Sequence, residues 1–169
     1  MASDEEAWDA AQAGADLIAD GETERAVETL QRLIERDPRN EHAYFFLGAA
    51  HYELGDFAKA LRAYVTALSL VPDYLGAMIN AGHTLRMLGR YDQAIRMGQQ
   101  VLARRKDDPD ALFLLGASHF ARGDNASAAN YLSSFLRTGP EVEAATEAHG
   151  MLQIIEGQIV PAVPADDPD

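Results

Sequence analysis

The chain has no cysteine among its 169 residues. Disulfides, thiolate metal sites and cysteine nucleophiles are therefore excluded. It is also short of positive charge. Lys and Arg number 14 against 27 Asp and Glu, a net charge of −13. Nucleic acid and anionic membrane both require a basic surface, so neither is expected as the main partner. No apolar run is long enough to span a bilayer, and membrane insertion is not expected. The opening MASDEEAWDA has no basic stretch followed by an apolar one. A secretory signal is therefore not expected, and the cytoplasm is the expected location. There is no HExxH, no phosphate-binding glycine loop and no nucleophile–base constellation. The expectation is a non-enzymatic protein with no cofactor and no metal. What the chain does have is apolar residues, 47% of the total. That is enough to build a core and too much for disorder throughout.

The glycines carry the organisation. Gly14, Gly48, Gly82, Gly116 and Gly150 recur every 34 residues, and so do Gly21, Gly55, Gly89, Gly123 and Gly157. Ala26, Ala60, Ala94 and Ala128 keep the same register. Pro38, Pro72 and Pro140 do too, with Lys106 at the matching place in the third copy. Four columns at one period indicate a helical repeat. A glycine inside a helix costs about 1 kcal/mol against alanine, which a close helix–helix approach can justify. The second glycine suits a left-handed turn, and the proline suits a helix stop.

The spacing predicts paired helices over about 4–20 and 22–36, 41–54 and 56–70, 75–88 and 90–105, and 109–122 and 124–138. Ser3 and Glu6 form a capping-box pattern at the first helix, and Asp108-Pro109 opens the seventh. Residues 143–157 make an unpaired ninth helix suited to capping the last apolar surface. Residues 158–169 are a proline-rich acidic tail, expected to be non-helical. Its apolar Ile159, Val160 and Val163 could dock in a groove, or the tail could simply be a solubilising end.

These columns resemble the tetratricopeptide repeat (TPR) family. In the second copy Tyr44, Leu47, Gly48, Gly55, Ala60, Tyr64 and Pro72 fall on its motif, with His51 in a tyrosine place. In the fourth, Leu112, Leu115, Gly116, Gly123, Ala128, Leu132 and Pro140 do so, with His119 in that place. The third has Gly98 where a large residue is usual, which marks either a bend or a close contact. The resemblance implies an all-α helical-hairpin solenoid over 1–157, with repeats at about 7–40, 41–74, 75–108 and 109–142 and a capping helix at 143–157. It also implies that the first helix of each pair lines a concave wall. The style of YFFLG and GDFAKAL is similar to chaperones of type III secretion translocators, which are small acidic TPR proteins with an apolar groove.

Two stripes divide each first helix. Tyr44, Leu47 and His51, like Leu112, Leu115 and His119, should be core. The adjacent stripe reads His42, Phe45, Ala49 and Tyr52, then Ile79, His83 and Arg86, then Phe113, Ala117 and Phe120. Aromatic rings on a concave wall suit a binding surface, and the alanines between them would leave pockets. The alternative is that the rings pack between neighbouring repeats. The family's carboxylate-clamping lysine and asparagine are absent from these positions. The expected partner is therefore a protein or peptide presenting an extended apolar segment, with Arg86, His42 and His83 orienting it. A self-assembling TPR scaffold is the rival reading, and a homo-oligomer is compatible with either. Arg104, Arg105 and Lys106 form a basic island that either holds an acidic partner or complements a helix C-terminus.

Overall fold

The computed structural model describes residues 3–157. Among these residues there are nine helices and no strand. They are α1 (Asp4–Ala19), α2 (Thr23–Arg36), α3 (Glu41–Glu53), α4 (Phe57–Leu70), α5 (Leu75–Met87), α6 (Tyr91–Arg104), α7 (Pro109–Arg122), α8 (Asn125–Arg137) and α9 (Val142–Ile155). The tail over 158–169 lies outside the described residues.

Local chemistry sets the helix ends. Ser3 and Glu6 close the expected capping box, with Ser3 N–H donating to Glu6 Oε2 at 2.8 Å and Glu6 N–H to Ser3 Oγ at 3.2 Å. Asp108 accepts from Ala111 N–H at 3.0 Å, with Pro109 behind it in the first turn of α7. Asn40 caps α3 by accepting from Ala43 N–H at 3.0 Å. Its amide also donates to Ala7 O at 2.9 Å, tying α3 to α1 from a fully buried position. The turns inside the four hairpins are made by Gly21, Gly55, Gly89 and Gly123 at φ +72° to +85°, where a side chain would be strained.

Packing follows the hairpins. Each odd helix packs on the even helix after it, from α1 on α2 to α7 on α8. The odd helices also approach one another in sequence, α1 to α3, α3 to α5, α5 to α7 and α7 to α9. The even helices do not approach their even neighbours. Close contact on one side and separation on the other makes the odd row the inner side of a curved solenoid. α9 closes the end by laying Ala148, Met151, Leu152 and Ile155 against Leu112, Leu132 and Phe135.

The helical glycines are sockets. A Cβ on Gly14 would sit 2.5 Å from Leu30, one on Gly48 2.6 Å from Tyr64, and one on Gly116 2.7 Å from Leu132. In each case the second helix of a hairpin plugs its own first helix. The third hairpin departs from this. Gly98 offers no side chain, so Gly82 is plugged from the next hairpin by Leu114, 2.3 Å from a built Cβ. Leu115 in turn fills the space at Gly98, 2.7 Å from a Cβ there. Gly98 thus marks a close contact, and α6 runs through it unbroken.

The stripe expected to be core is so only in part. Leu112, Leu115 and His119 are buried, but Tyr44 and Leu47 are half-buried. The reason is one column on the following helix. Ala63 stands where the third and fourth copies have Met97 and Tyr131, and the small side chain leaves Tyr44 and Leu47 partly uncovered while His51 is buried as expected.

Candidate functional site

The inner wall carries a cleft of about 280 Å³, between α3 and α5. Ala49, Tyr52 and Glu53 come from α3, Asn80 and His83 from α5, and Tyr64 from α4 closes the base. Ala49 makes the cleft possible, since a larger residue would fill it. Three expected groove residues, Ala49, Tyr52 and His83, therefore come together. Asn80, Tyr64 and Glu53 join them without having been expected. Asn80 had a signal: Phe46 and Leu114 occupy its place in the neighbouring copies, so a polar residue there stands out.

The chemistry of the cleft is apolar walls with polar points. Burial, with Arg86 nearby, lowers the His83 pKa to about 4, so its imidazole is neutral near pH 7. Burial raises the pKa of Tyr64, a hydrogen bond with Asn80 working against it, and the phenol keeps its proton. A neutral imidazole, a phenol and an amide can each donate and accept hydrogen bonds. The Glu53 carboxylate stands at the exposed rim. Arg86 Nε is buried and has no hydrogen-bond partner.

The remaining expected residues are spread along the wall. Phe45 stacks on Tyr74 with ring centroids 5.0 Å apart, and Phe46 meets its edge at 5.3 Å. Phe113 lies between His83 at 6.1 Å and Phe135 at 5.1 Å. Phe120 is half-buried. Ile79 is 9% exposed and Ala117 2% exposed, so neither offers much surface.

His42 is held away from the cleft, at the N-terminal ends of α1 and α3. Its Nε2 is 2.9 Å from Asp4 Oδ1 and its Nδ1 3.2 Å from the Tyr74 hydroxyl. In the neutral ring Nε2–H donates to the carboxylate, and Nδ1 accepts from the phenol. Burial, with Glu41 and Asp4 nearby, pushes the Tyr74 pKa up to about 12. Trp8 meets the imidazole edge-on at 5.0 Å. Asp4, Glu41 and His42 bring ligand atoms within 4.8 Å of one another, so they are the described group that could hold a metal. An ion there would have to displace the Asp4–His42 bond.

The basic island is largely used locally. Arg104 reaches Asp73 at 2.7 Å, and Arg105 lies 3.9 Å from Asp108. No helix among the described residues is long and apolar enough to cross a membrane.

Family models described as tetratricopeptide repeat match residues 10–40, 40–107 and 79–143. The chain belongs to the tetratricopeptide repeat family. It is 33% identical over 126 residues to Protein FlbA of Caulobacter vibrioides, covering 75% of this chain and 18% of that protein. It is 30% identical over 103 residues to mouse superkiller complex protein 3, covering 61% of this chain and 7% of that protein. The chain thus spans a small part of the curated relatives it matches. Among solved structures, MamA (residues 41 to the end) from Desulfovibrio magneticus RS-1 superposes with a TM-score of 0.76 at 20% identity, covering 87% of this chain and 81% of that one. YrrB, described as a TPR protein with an unusual peptide-binding site, superposes with a TM-score of 0.68 at 17% identity, covering 86% and 73%. These likenesses are of fold.

Proposed function

We propose that this TPR chain is a non-enzymatic interaction module that holds an extended apolar segment of a protein partner along the row of odd helices. One apolar side chain of the segment enters the α3–α5 cleft, between Tyr52 and His83 and over Ala49. The observation that carries the reading is the cleft, a space on the inner wall opened by alanine and bounded by rings. Asn80 and the neutral His83 would satisfy backbone polar groups of the segment, and Phe113 and Phe120 would extend the apolar track towards α7. A peptide-binding site in a structural neighbour supports this class of partner for the fold. The narrower form is an adaptor or a cytoplasmic chaperone, similar to those of type III secretion translocators, that keeps an apolar segment covered until handover.

The test is selection from a random-peptide display library on the intact chain. Apolar peptides are expected, and Ala49→Trp should abolish their binding while circular dichroism stays unchanged. Selected peptides that bind Ala49→Trp as well as the parent would place recognition elsewhere.

A further inference from the structure

The even helices are held apart, so the outer side of the solenoid has grooves between them. The groove between α2 and α4 has a volume of about 370 Å³ and exposes the α3 stripe at its floor. It exists because of Ala63. In the fourth copy the matching Tyr131 lies over His119 with ring centroids 5.5 Å apart and closes the equivalent space. In the third copy the same column holds Met97. In the second copy Ala63 offers no such ring, and although His51 itself is buried, Tyr44 and Leu47 remain half-buried at the groove floor.

The charge of this groove is opposite to that of the chain. On a protein of net charge −13, Lys59 and Arg62 line it and no carboxylate does. The carboxylate on its edge is Asp56, 3.8 Å from Lys59 Nζ. Arg62 has no ion-pair partner among the described residues. Its counterparts are Arg96 and Asn130, and those of Lys59 are Gln93 and Ser127, so the cation pair belongs to the second copy alone. The floor holds a further unfilled group. His51 is 7% exposed, and its Nδ1 is buried with no hydrogen-bond partner. Burial, with Lys59 next in weight, lowers its pKa, so it adds no charge to repel a neighbouring cation.

We infer that the α2–α4 groove is a second binding site, taking an acidic side chain of a peptide with the carboxylate between Lys59 and Arg62 and the carbon chain on Leu47 and Tyr44. The apolar floor beside the cations is what selects a carboxylate on a carbon stem over a bare inorganic anion. An arginine offers such a carboxylate a two-pronged, charge-assisted contact. The site is on the opposite side of the solenoid from the α3–α5 cleft and stands independently of it.

The test is an NMR titration of the intact chain at low ionic strength with acetylated, amidated triglutamate, and in a second arm with inorganic phosphate. Saturable shifts are expected around Tyr44, His51 and Arg62. Ala63→Tyr, which installs the fourth-copy arrangement, should weaken binding by about tenfold or more. Should Ala63→Tyr fail to fold, the exposed pair Lys59→Gln and Arg62→Gln should produce the same loss, whereas Arg96→Gln should produce none. Three outcomes would overturn the site: no saturable shifts, shifts that follow Arg96, or binding untouched by closing the groove or removing its cations. Phosphate binding as tightly as the peptide would overturn the peptide assignment in favour of a small-anion site.

Discussion

The second and fourth copies share the motif columns and pack differently. Both put histidine in the motif's tyrosine place and an aspartate five residues later. In the fourth copy His119 Nδ1 meets Asp124 at 3.0 Å, Tyr131 stacks on the imidazole, and Arg122 joins Asp124 to Asp92. In the second copy His51 Nδ1 stops 3.9 Å from Asp56, and no ring covers it. Leu115 is fully buried, while Leu47 faces the outer groove. The difference traces to Ala63 against Tyr131, and to Gly98, whose missing side chain gives Leu115 a socket. A repeat motif fixes the backbone path. The non-motif columns decide which copy is sealed and which is left open to bind.

The largest test of that contrast is truncation of the two leucines. Leu115→Ala should cost about 3–5 kcal/mol, because it empties the socket at Gly98 and leaves a cavity with no water access. Leu47→Ala should cost about 1–2 kcal/mol, since part of its surface is already solvated. Urea unfolding of both variants checks this, and equal losses would mean that the second copy is as closed as the fourth.

The concave cleft can be separated from both by pH. The folded pKa of His83 is about 4 against an ordinary 6.5. Between those values the unfolded chain binds more protons, so stability is full above about pH 6.5 and falls as the pH drops towards 4. At pH 5 the loss from this group alone should be about 2 kcal/mol. His83→Gln should flatten that part of the pH–stability curve. His51, also lowered, works in the same direction and would remain. If the curve keeps its full slope in His83→Gln, burial of this imidazole is not its source.

How much of this was legible depends on which column is asked. Helix ends fell within a residue or two of expectation, because glycine at positive φ, capping aspartate and proline act locally. The role of Gly98 was half legible: a missing side chain announces a contact or a bend, but only tertiary structure shows that Leu115 of the next hairpin supplies the contact. Ala49, Tyr52 and His83 could be grouped by helical spacing. Asn80 and Tyr64 could not, since they reach the cleft from a different stripe and a different helix. Helical spacing, with the concave wall that the family resemblance implies, groups His42 with the groove residues. It is the second residue of α3, and Asp4 and Tyr74, far off in sequence, hold its ring at the helix ends. The open groove beside Ala63 was invisible because an alanine in a repeat reads as tight packing until Tyr44 and Leu47 are seen to lie only half-buried next to it.

The caps give a smaller contrast. Asp124 accepts from Ser127 N–H at 3.2 Å, and the hydrogen bonds with Ser127 hold its pKa down at about 2. Asp56 makes no such bond at the start of α4. Asp124→Ala should therefore lower the thermal midpoint more than Asp56→Ala. The Asp124 contribution should be present above about pH 4 and disappear as the pH falls through 2. Thermal melts of the two variants at pH 7 decide it, and a larger drop for Asp56→Ala would show that the second-copy turn is the better capped.

The smallest expected effect is also the most direct test of why the second copy is open. Ala63→Met copies the third-copy residue into the second. The methionine has a ready space over Leu47 and His51, so it adds buried apolar area at about 25 cal/mol per Å² without forcing the helices apart. Against this stand its slightly lower helix propensity and the rotamer freedom it loses. The balance should be a gain of less than about 1 kcal/mol, read as a small rise in the urea midpoint with an unchanged slope. A loss of about 1–3 kcal/mol, the usual cost of overpacking, would mean that the space beside Ala63 is already filled in solution. The distinction between an open second copy and a sealed fourth would then fail at its cause.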